Sequence, residues 1–353
     1  PFVDKGDCKA VVRDYKSSFF NGFIEMKLDD EILQSHLFAS DEELTQAEFD
    51  IELPDDRGIH VLTSKMNLGA VHVTRQSAAF MKKDQPVQLE KSIKDGLEVY
   101  SVDNGELKIS ASAQFAPTLF SLQYRDQEWM DSPFPKPTPK SWWNPWFGGI
   151  AGLLQGMSLH SLLKEESTVE FVEKEDNKGN MWKGLKISTI YKKHEMFKGV
   201  HIYKYFLMLQ GVPVLCHTTE IVQNMESYLD GKNFYTGCFL NPGPEPARSW
   251  GSFQSENGEW TMVSGAKGEQ EMTVERSVIY GSDDHENLLQ IVADQNATQV
   301  DSYINLEVIE LGYSEKVSLE HGAKQFTSPV FYVFNDRVIL DTALEDLKKI
   351  KFN

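Results

Sequence analysis

The 353-residue chain has little cysteine: Cys8, Cys216 and Cys238 are the only three, and none forms a Cys-x-x-Cys pair. An odd, sparse count does not build a disulfide framework, which favours a reducing compartment and a cytoplasmic setting. Positive charge is also short. Lys and Arg number 35 against 53 Asp and Glu, giving a net charge of -18. Phosphate binding needs clustered Lys and Arg, so this balance argues against nucleic acid or an anionic membrane as partner. No apolar run reaches the roughly 18–20 residues that a membrane-spanning helix requires. The chain starts at Pro1, with neither Met nor a basic-then-apolar leader. It reads as a mature form or as an excised part of a longer protein; in the second case a catalytic domain is expected ahead of Pro1.

Several kinds of chemistry lack their motifs. "HEMFKGVH" has no histidines at i and i+4, and no His/Cys cluster has ligand spacing, so no metal and no cofactor is expected. "GGIAGLLQG" follows a Trp/Pro stretch rather than a strand and has no Lys-Ser/Thr, which removes a phosphate-binding loop. "GSDDHEN" reads as a solvated turn before it reads as a calcium site. No Gly-x-Ser-x-Gly occurs, and neither Cys216 nor Cys238 has a base partner in sequence.

What is present is strand after strand. Short runs rich in β-branched and aromatic residues recur between Gly, Asn, Asp and Pro, among them "STVEFVEKED", "GVHIYKYFLML", "VLCHTTEIVQN" and "YINLEVIEL". "EVYSVDNGELKIS" is a hairpin pattern with Asn104-Gly105 in its turn. Helical expectations are confined to "SDEELTQAEF", opened by Ser40, and the final "TALEDLKKIKF". The chain is therefore expected to be all-β. A small N-terminal β region spans 1–92 and a larger antiparallel region 93–353, divided in the polar stretch near Lys91–Gly96.

One stretch fits neither strand nor helix periodicity. "SWWNPWFGGIAG", Ser141–Gly152, packs three tryptophans and a phenylalanine together and then adds three glycines. Its rings either wedge a loop against a sheet or stand at the mouth of a site. The preceding "SPFPKPTPK" reads as a stiff, ordered loop.

From about Leu97 onward the order of features resembles the galactose-mutarotase-like β-supersandwich superfamily, which includes aldose 1-epimerases and β domains of carbohydrate-active enzymes. The residues that carry the resemblance are "VDNGELKISASAQFAPTLFSLQYRDQEWM", "YFLMLQGVPVLCHTTEIVQN" and "SLEHGAKQFTSPVFYVF", within about 250 residues of the chain. The resemblance implies a large antiparallel β-supersandwich and a carbohydrate ligand. It also places "SWWNPWFGGIAG" where one wall of the sugar cleft is built. Trp142, Trp143 and Trp146 are then candidate stacking surfaces, and Asn144 a hydrogen-bonding amide. Trp143 and Trp146 in particular are expected to present their ring faces, with Asn144 and His160 bonding hydroxyls.

An epimerase needs an acid and a base across the sugar. His160 falls at the family's first histidine, but His160-Ser161-Leu162-Leu163 replaces the usual His-Gly-Phe-Ala-Arg. Tyr235 or Thr236 stands where a second histidine belongs, and the late glutamate position reads Asp294. Glu220 is another candidate carboxylate. Strand alternation puts His217 and Glu220 on opposite faces, so both cannot meet one ligand, and the bland expectation for them is a solvated sheet face. Three functions remain: a carbohydrate-binding region of a larger carbohydrate-active protein; a divergent epimerase-like or glycoside-processing enzyme using His160 with Asp294 or Glu220; and a structural or protein-interaction sandwich with the aromatics in its core.

Overall fold

A computed structural model describes residues 1–4, 8–13, 22–29, 31–38, 46–54, 58–68, 71–254 and 259–352. Of the described residues 59% lie in strands and 5% in helices, so the all-β expectation stands. The chain divides into two compact units, Pro1–Asp84 with Ile339–Lys349, and Gln85–Val338 with Ile350–Asn353.

In the smaller unit a five-stranded sheet runs in the order Phe2–Val3, Val71–Met81, Ile59–Leu68, Gly22–Leu28, Glu31–Phe38. Cys8–Arg13 and Gln46–Ile51 form a separate pair. Alternation along Gly22–Leu28 buries Ile24, Met26 and Leu28, which pack with Phe49, Ile51 and Leu53. Of the stretch expected to be helical, Ser40–Thr45 lies outside the described residues. The remainder is strand: Phe49 and Ile51 bury apolar side chains with the period of two that a strand imposes. The C-terminal stretch gives only the helical turn Asp341–Leu344 and a shorter turn at Leu347–Lys349.

The larger unit holds two ten-stranded antiparallel sheets around an apolar core; in each, nine strands follow one order, while Gln127–Glu128 pairs beside Leu119–Tyr124 in the first and Lys324–Phe326 beside Val214–Gln223 in the second. The first sheet runs Gln270–Thr273, Gln299–Ile304, Ile309–Leu319, Leu229–Leu240, Ile150–Leu154, Leu119–Tyr124, Leu107–Ala111, Leu97–Asp103, Gln88–Lys94. The second runs Glu166–Glu175, Met181–Ile190, Val200–Met208, Val214–Gln223, Val330–Asn335, His285–Val292, Val278–Ser282, Ser249–Gln254, Trp260–Ser264. Two sheets with apolar inner faces can hide them only against each other, and Ile109, Leu122 and Leu311 from the first meet Leu185, Phe206 and Ile291 from the second. The charged stretch Lys91–Gly96 belongs to this unit, as the end of one strand and the turn that pairs it with Leu97–Asp103.

The expected hairpin at Asn104-Gly105 is present. Asn104 is fully buried. Its amide donates to the carbonyls of Leu209 at 2.6 Å and Val212 at 2.8 Å, and its oxygen accepts from the N–H groups of Glu106 and Leu107. The run "YINLEVIEL" is two strands rather than one. Asn305 breaks it by accepting from the N–H groups of Glu307 and Val308, each at 2.8 Å, an Asx-type turn. This turn restarts the alternation just before Glu310.

Candidate functional site

Strand alternation sets the outer face of the first sheet. Leu311 and Tyr313 enter the core, so Glu310, Gly312 and Ser314 point away from it. On one side Leu229–Leu240 places Phe239 opposite Glu310, Gly237 opposite Gly312 and Tyr235 opposite Ser314. On the other, Gln299–Ile304 places Tyr303 opposite Glu310 and Asp301 opposite Gly312. Two acids, two tyrosines and a phenylalanine thus share one surface.

Tyr235 lies along this surface, and its hydroxyl donates to Glu310 Oε1 at 2.9 Å. Gly312 makes the route open: a Cβ there would strike the Tyr235 ring and hydroxyl. Burial raises the Glu310 carboxyl above its ordinary range, against the opposing pull of the Tyr235 hydrogen bond. Burial, reinforced by Glu310, raises the Tyr235 phenol as well. Asp301, two residues from Tyr303, accepts from Thr273 Oγ1 and Gln299 Nε2, each at 2.9 Å.

The tryptophan stretch borders the same surface. Trp143–Trp146 is a short strand paired with Thr138–Lys140, so the end of the proline-rich segment, expected as loop, is strand. Trp142 is 60% exposed. Its ring leans on Trp143 at a 32° tilt with centroids 4.6 Å apart and meets Tyr303 edge-on at 5.4 Å. Trp143 in turn meets Phe239 edge-on at 5.1 Å. Trp146 behaves differently from expectation. It is 3% exposed, packs with Phe239 and Val308, and carries the Lys140 ammonium 4.5 Å above its ring. A ring enclosed on both sides offers no face to a ligand, so Trp146 is a pillar beneath the surface and Trp142 is the open ring.

The stretch turns at Gly148 and Gly149, both at positive φ, +56° and +65°. A Cβ on either would run into backbone oxygen, that of Asp131 or of Leu119. The corner is tied down by Gly149 N–H to the Asp131 carbonyl, by Phe239 N–H to the Gly149 carbonyl, and by the Thr118 hydroxyl to the Gly148 carbonyl at 2.8 Å. Phe239 and the tryptophans are therefore fixed together.

The remaining candidates divide. His160 is exposed on the helical turn Leu159–Leu162, which packs against strand Trp143–Trp146. Asn144 is exposed on that strand. Glu220 points outward from the second sheet, where it accepts from Tyr205 at 2.9 Å and pairs with Lys324 at 3.2 Å. Asp294 closes the turn after His285–Val292, accepting from the backbone and side-chain N–H groups of Asn296, each at 3.1 Å. Neither carboxylate joins Tyr235. His217 and Glu220 do lie on opposite faces, but the His217 face is the sandwich interior and not a solvated one. His217 Nδ1 meets the Tyr313 hydroxyl at 2.7 Å, and burial, followed by the Lys204 charge, lowers it to about 3. Among the described residues no group of three or more His, Cys, Asp or Glu is placed to hold a metal ion, and no helix is long and apolar enough to cross a membrane.

Glu310, Asp301 and Tyr303 were missed from sequence because "YINLEVIEL" reads as one strand. The signal for them was Asn305, whose short polar side chain favours a turn.

No known protein family matches the chain, and no curated protein matches it in sequence. Solved structures share its fold. One is a TPR-domain containing protein from Parabacteroides distasonis, 9% identical with a TM-score of 0.51; the match covers 78% of this chain and 50% of that one. Another is a protein assigned as an aldose 1-epimerase from Klebsiella pneumoniae, 10% identical with a TM-score of 0.53, covering 76% of this chain and 87% of the other. The chain spans about half the length of the first of these. At such identities the likeness is one of fold alone, a large antiparallel β-sandwich.

Proposed function

We propose that the outer face of the first sheet binds a carbohydrate. The observation that carries this reading is the exposed Trp142 ring, tilted against Trp143 and braced by Tyr303, on the surface that also holds Glu310, Asp301 and Tyr235. An aromatic ring takes the C–H face of a pyranose, while the carboxylates and phenols beside it take the hydroxyls. Asn144 and His160, on and beside the tryptophan strand, supply further donors and acceptors. Two buried free thiols, Cys216 and Cys238, favour a reducing, cytoplasmic setting.

Saturation-transfer NMR with galactose, glucose, mannose and glucuronate tests the reading. Transfer from a neutral pyranose is expected, and it falls in Tyr235→Phe and Asp301→Asn while folding is kept. Absence of transfer from every sugar, in protein shown to be folded, contradicts it.

A second reading rests on Glu310 alone. A carboxyl raised by burial and bonded to a phenol on an open face is suited to proton transfer at a sugar. In this reading the chain is epimerase-like, with Glu310 in place of Asp294 or Glu220. Faster interconversion of sugar anomers, lost in Glu310→Gln, distinguishes it from binding alone.

A further inference from the structure

Lys204 stands inside the sandwich with no exposed surface, on the inner face of strand Val200–Met208. Its ammonium group donates to the carbonyl of Pro117. Pro117 is followed by Thr118, itself fully buried, whose hydroxyl holds the Gly148 carbonyl at 2.8 Å. Gly149, against the same segment, has space only because it lacks a Cβ that would meet the Leu119 carbonyl and the Thr118 hydroxyl. Its carbonyl receives Phe239 N–H. A continuous line of contacts therefore runs from the core lysine to the corner that seats the tryptophan stretch.

We propose that Lys204 is a positioning residue for the tryptophan platform: from inside the sandwich it fixes the Pro117–Thr118 segment on which the Gly148–Gly149 corner rests. The purpose given to the platform rests on the carbohydrate reading; the strut itself does not.

Chemistry supports a lysine here as an adjustable strut. Burial alone lowers its pKa to about 7. Above that value the neutral amine donates an ordinary hydrogen bond to Pro117; below it the bond is charge-assisted and stronger. The groups facing Lys204 are few. Ile202 and Phe206 flank it on its own strand, Ile187 lies opposite on Met181–Ile190, and Thr219 lies opposite on Val214–Gln223, two residues from His217. Across the interior stands Tyr313, bonded to His217 and Tyr332, with Cys238 near it and Glu315 further along its strand, bonded to Thr298 and Ser328. His217 is held neutral by its depressed pKa and the phenols and thiol are raised, all by burial. Glu315 is also raised by burial.

The test follows the indole and glycine amide signals of the protein by NMR from pH 5.5 to 8.5, without any sugar. Trp143 and Trp146 are assigned through Trp→Phe variants, and a His160→Gln background removes the histidine beside the strand. A step near pH 7 in the Trp146 indole and the Gly149 amide is expected, absent in Lys204→Met. A Glu315→Gln control keeps the step. Thr118→Val cuts the line beyond Lys204; it is expected to speed Gly149 amide exchange about five- to tenfold, the equivalent of one hydrogen bond. If Lys204→Met does not fold, Thr118→Val decides. A step that survives in folded Lys204→Met, or unchanged Gly149 exchange in Thr118→Val, overturns the proposal. Failure to bind sugar would overturn the function above and leave this result standing.

Discussion

The Tyr235 hydroxyl reaches Glu310 at 2.9 Å by crossing the bare backbone of Gly312, so two neighbouring strands are joined on their outer face by a phenol–carboxyl pair. The pair exists because the position it crosses has no side chain. Gly312→Ala is expected to displace Tyr235 and free Glu310, with weakened sugar binding and little loss of fold. Titration calorimetry beside a thermal melt checks it; unchanged affinity would show that the pair is not part of the binding surface.

Glu310 also carries a pH signature. Its folded-state pKa is raised by burial, so folding favours the protonated form. That contribution to stability is complete below the unfolded carboxyl's pKa and is lost as pH rises through the folded value. Glu310→Gln cannot ionise. The stability of this variant relative to the parent is therefore expected to increase from pH 4 to pH 8, measured by urea unfolding at each pH. A relative stability that falls with pH contradicts the assignment.

Lys204 gives the complementary case. Its pKa drops from 10.5 to about 7 on burial. Between these values the unfolded chain holds a proton that the folded chain does not, so stability is greatest above the upper value and declines as pH falls toward the lower. The slope is about 1.4 kcal/mol per pH unit for one such group, an upper figure for a real interior. Subtracting the urea-unfolding profile of Lys204→Met from that of the parent between pH 7.5 and 9.5 should isolate it. A flat difference would mean that Lys204 is not buried as described.

Trp146 and Trp142 should separate cleanly despite lying four residues apart. Removing the enclosed Trp146 ring opens a cavity under Phe239 and Val308, and Trp146→Ala is expected to cost about 3–5 kcal/mol of folding stability. Trp142→Ala removes an exposed ring, and a surface change of this kind stays within about 0.5 kcal/mol. Chemical unfolding of both variants checks the contrast.

Asn104→Ala removes four hydrogen bonds from a fully buried site. Each group left unpaired costs about 1–3 kcal/mol. Asn104→Ala is expected to destabilise far more than Asn144→Ala, whose side chain is exposed. Equal midpoints for the two would contradict the buried, four-bonded placement of Asn104.

The sequence showed the strands plainly because β-branched and aromatic alternation is a local property, as in "VLCHTTEIVQN". Asn104-Gly105 was legible for the same reason. It also showed that His217 and Glu220 face opposite ways. It did not show which face is inside, since that depends on a partner sheet distant in sequence. His217 was accordingly expected against solvent and lies in the core. Burial also separated three tryptophans that look alike in the chain: Phe239 and Val308, which enclose Trp146, come from a strand and a turn distant in sequence. Glu310 was hidden by a single turn residue, Asn305. Once the run breaks there, the alternation that follows places Glu310 and Gly312 on the outer face together.

The central claim is that the Trp142 ring is a carbohydrate-binding surface, and the most direct measurement is binding of the parent and Trp142→Ala to a glycan array, with melting temperatures taken alongside. The account predicts that the parent binds at least one glycan. It predicts that Trp142→Ala loses about tenfold or more of that affinity, equivalent to 1.4 kcal/mol from one stacking ring. The melting temperature should stay within about 2 °C of the parent's. A parent that binds no glycan, or a Trp142→Ala protein that binds as tightly as the parent, contradicts it.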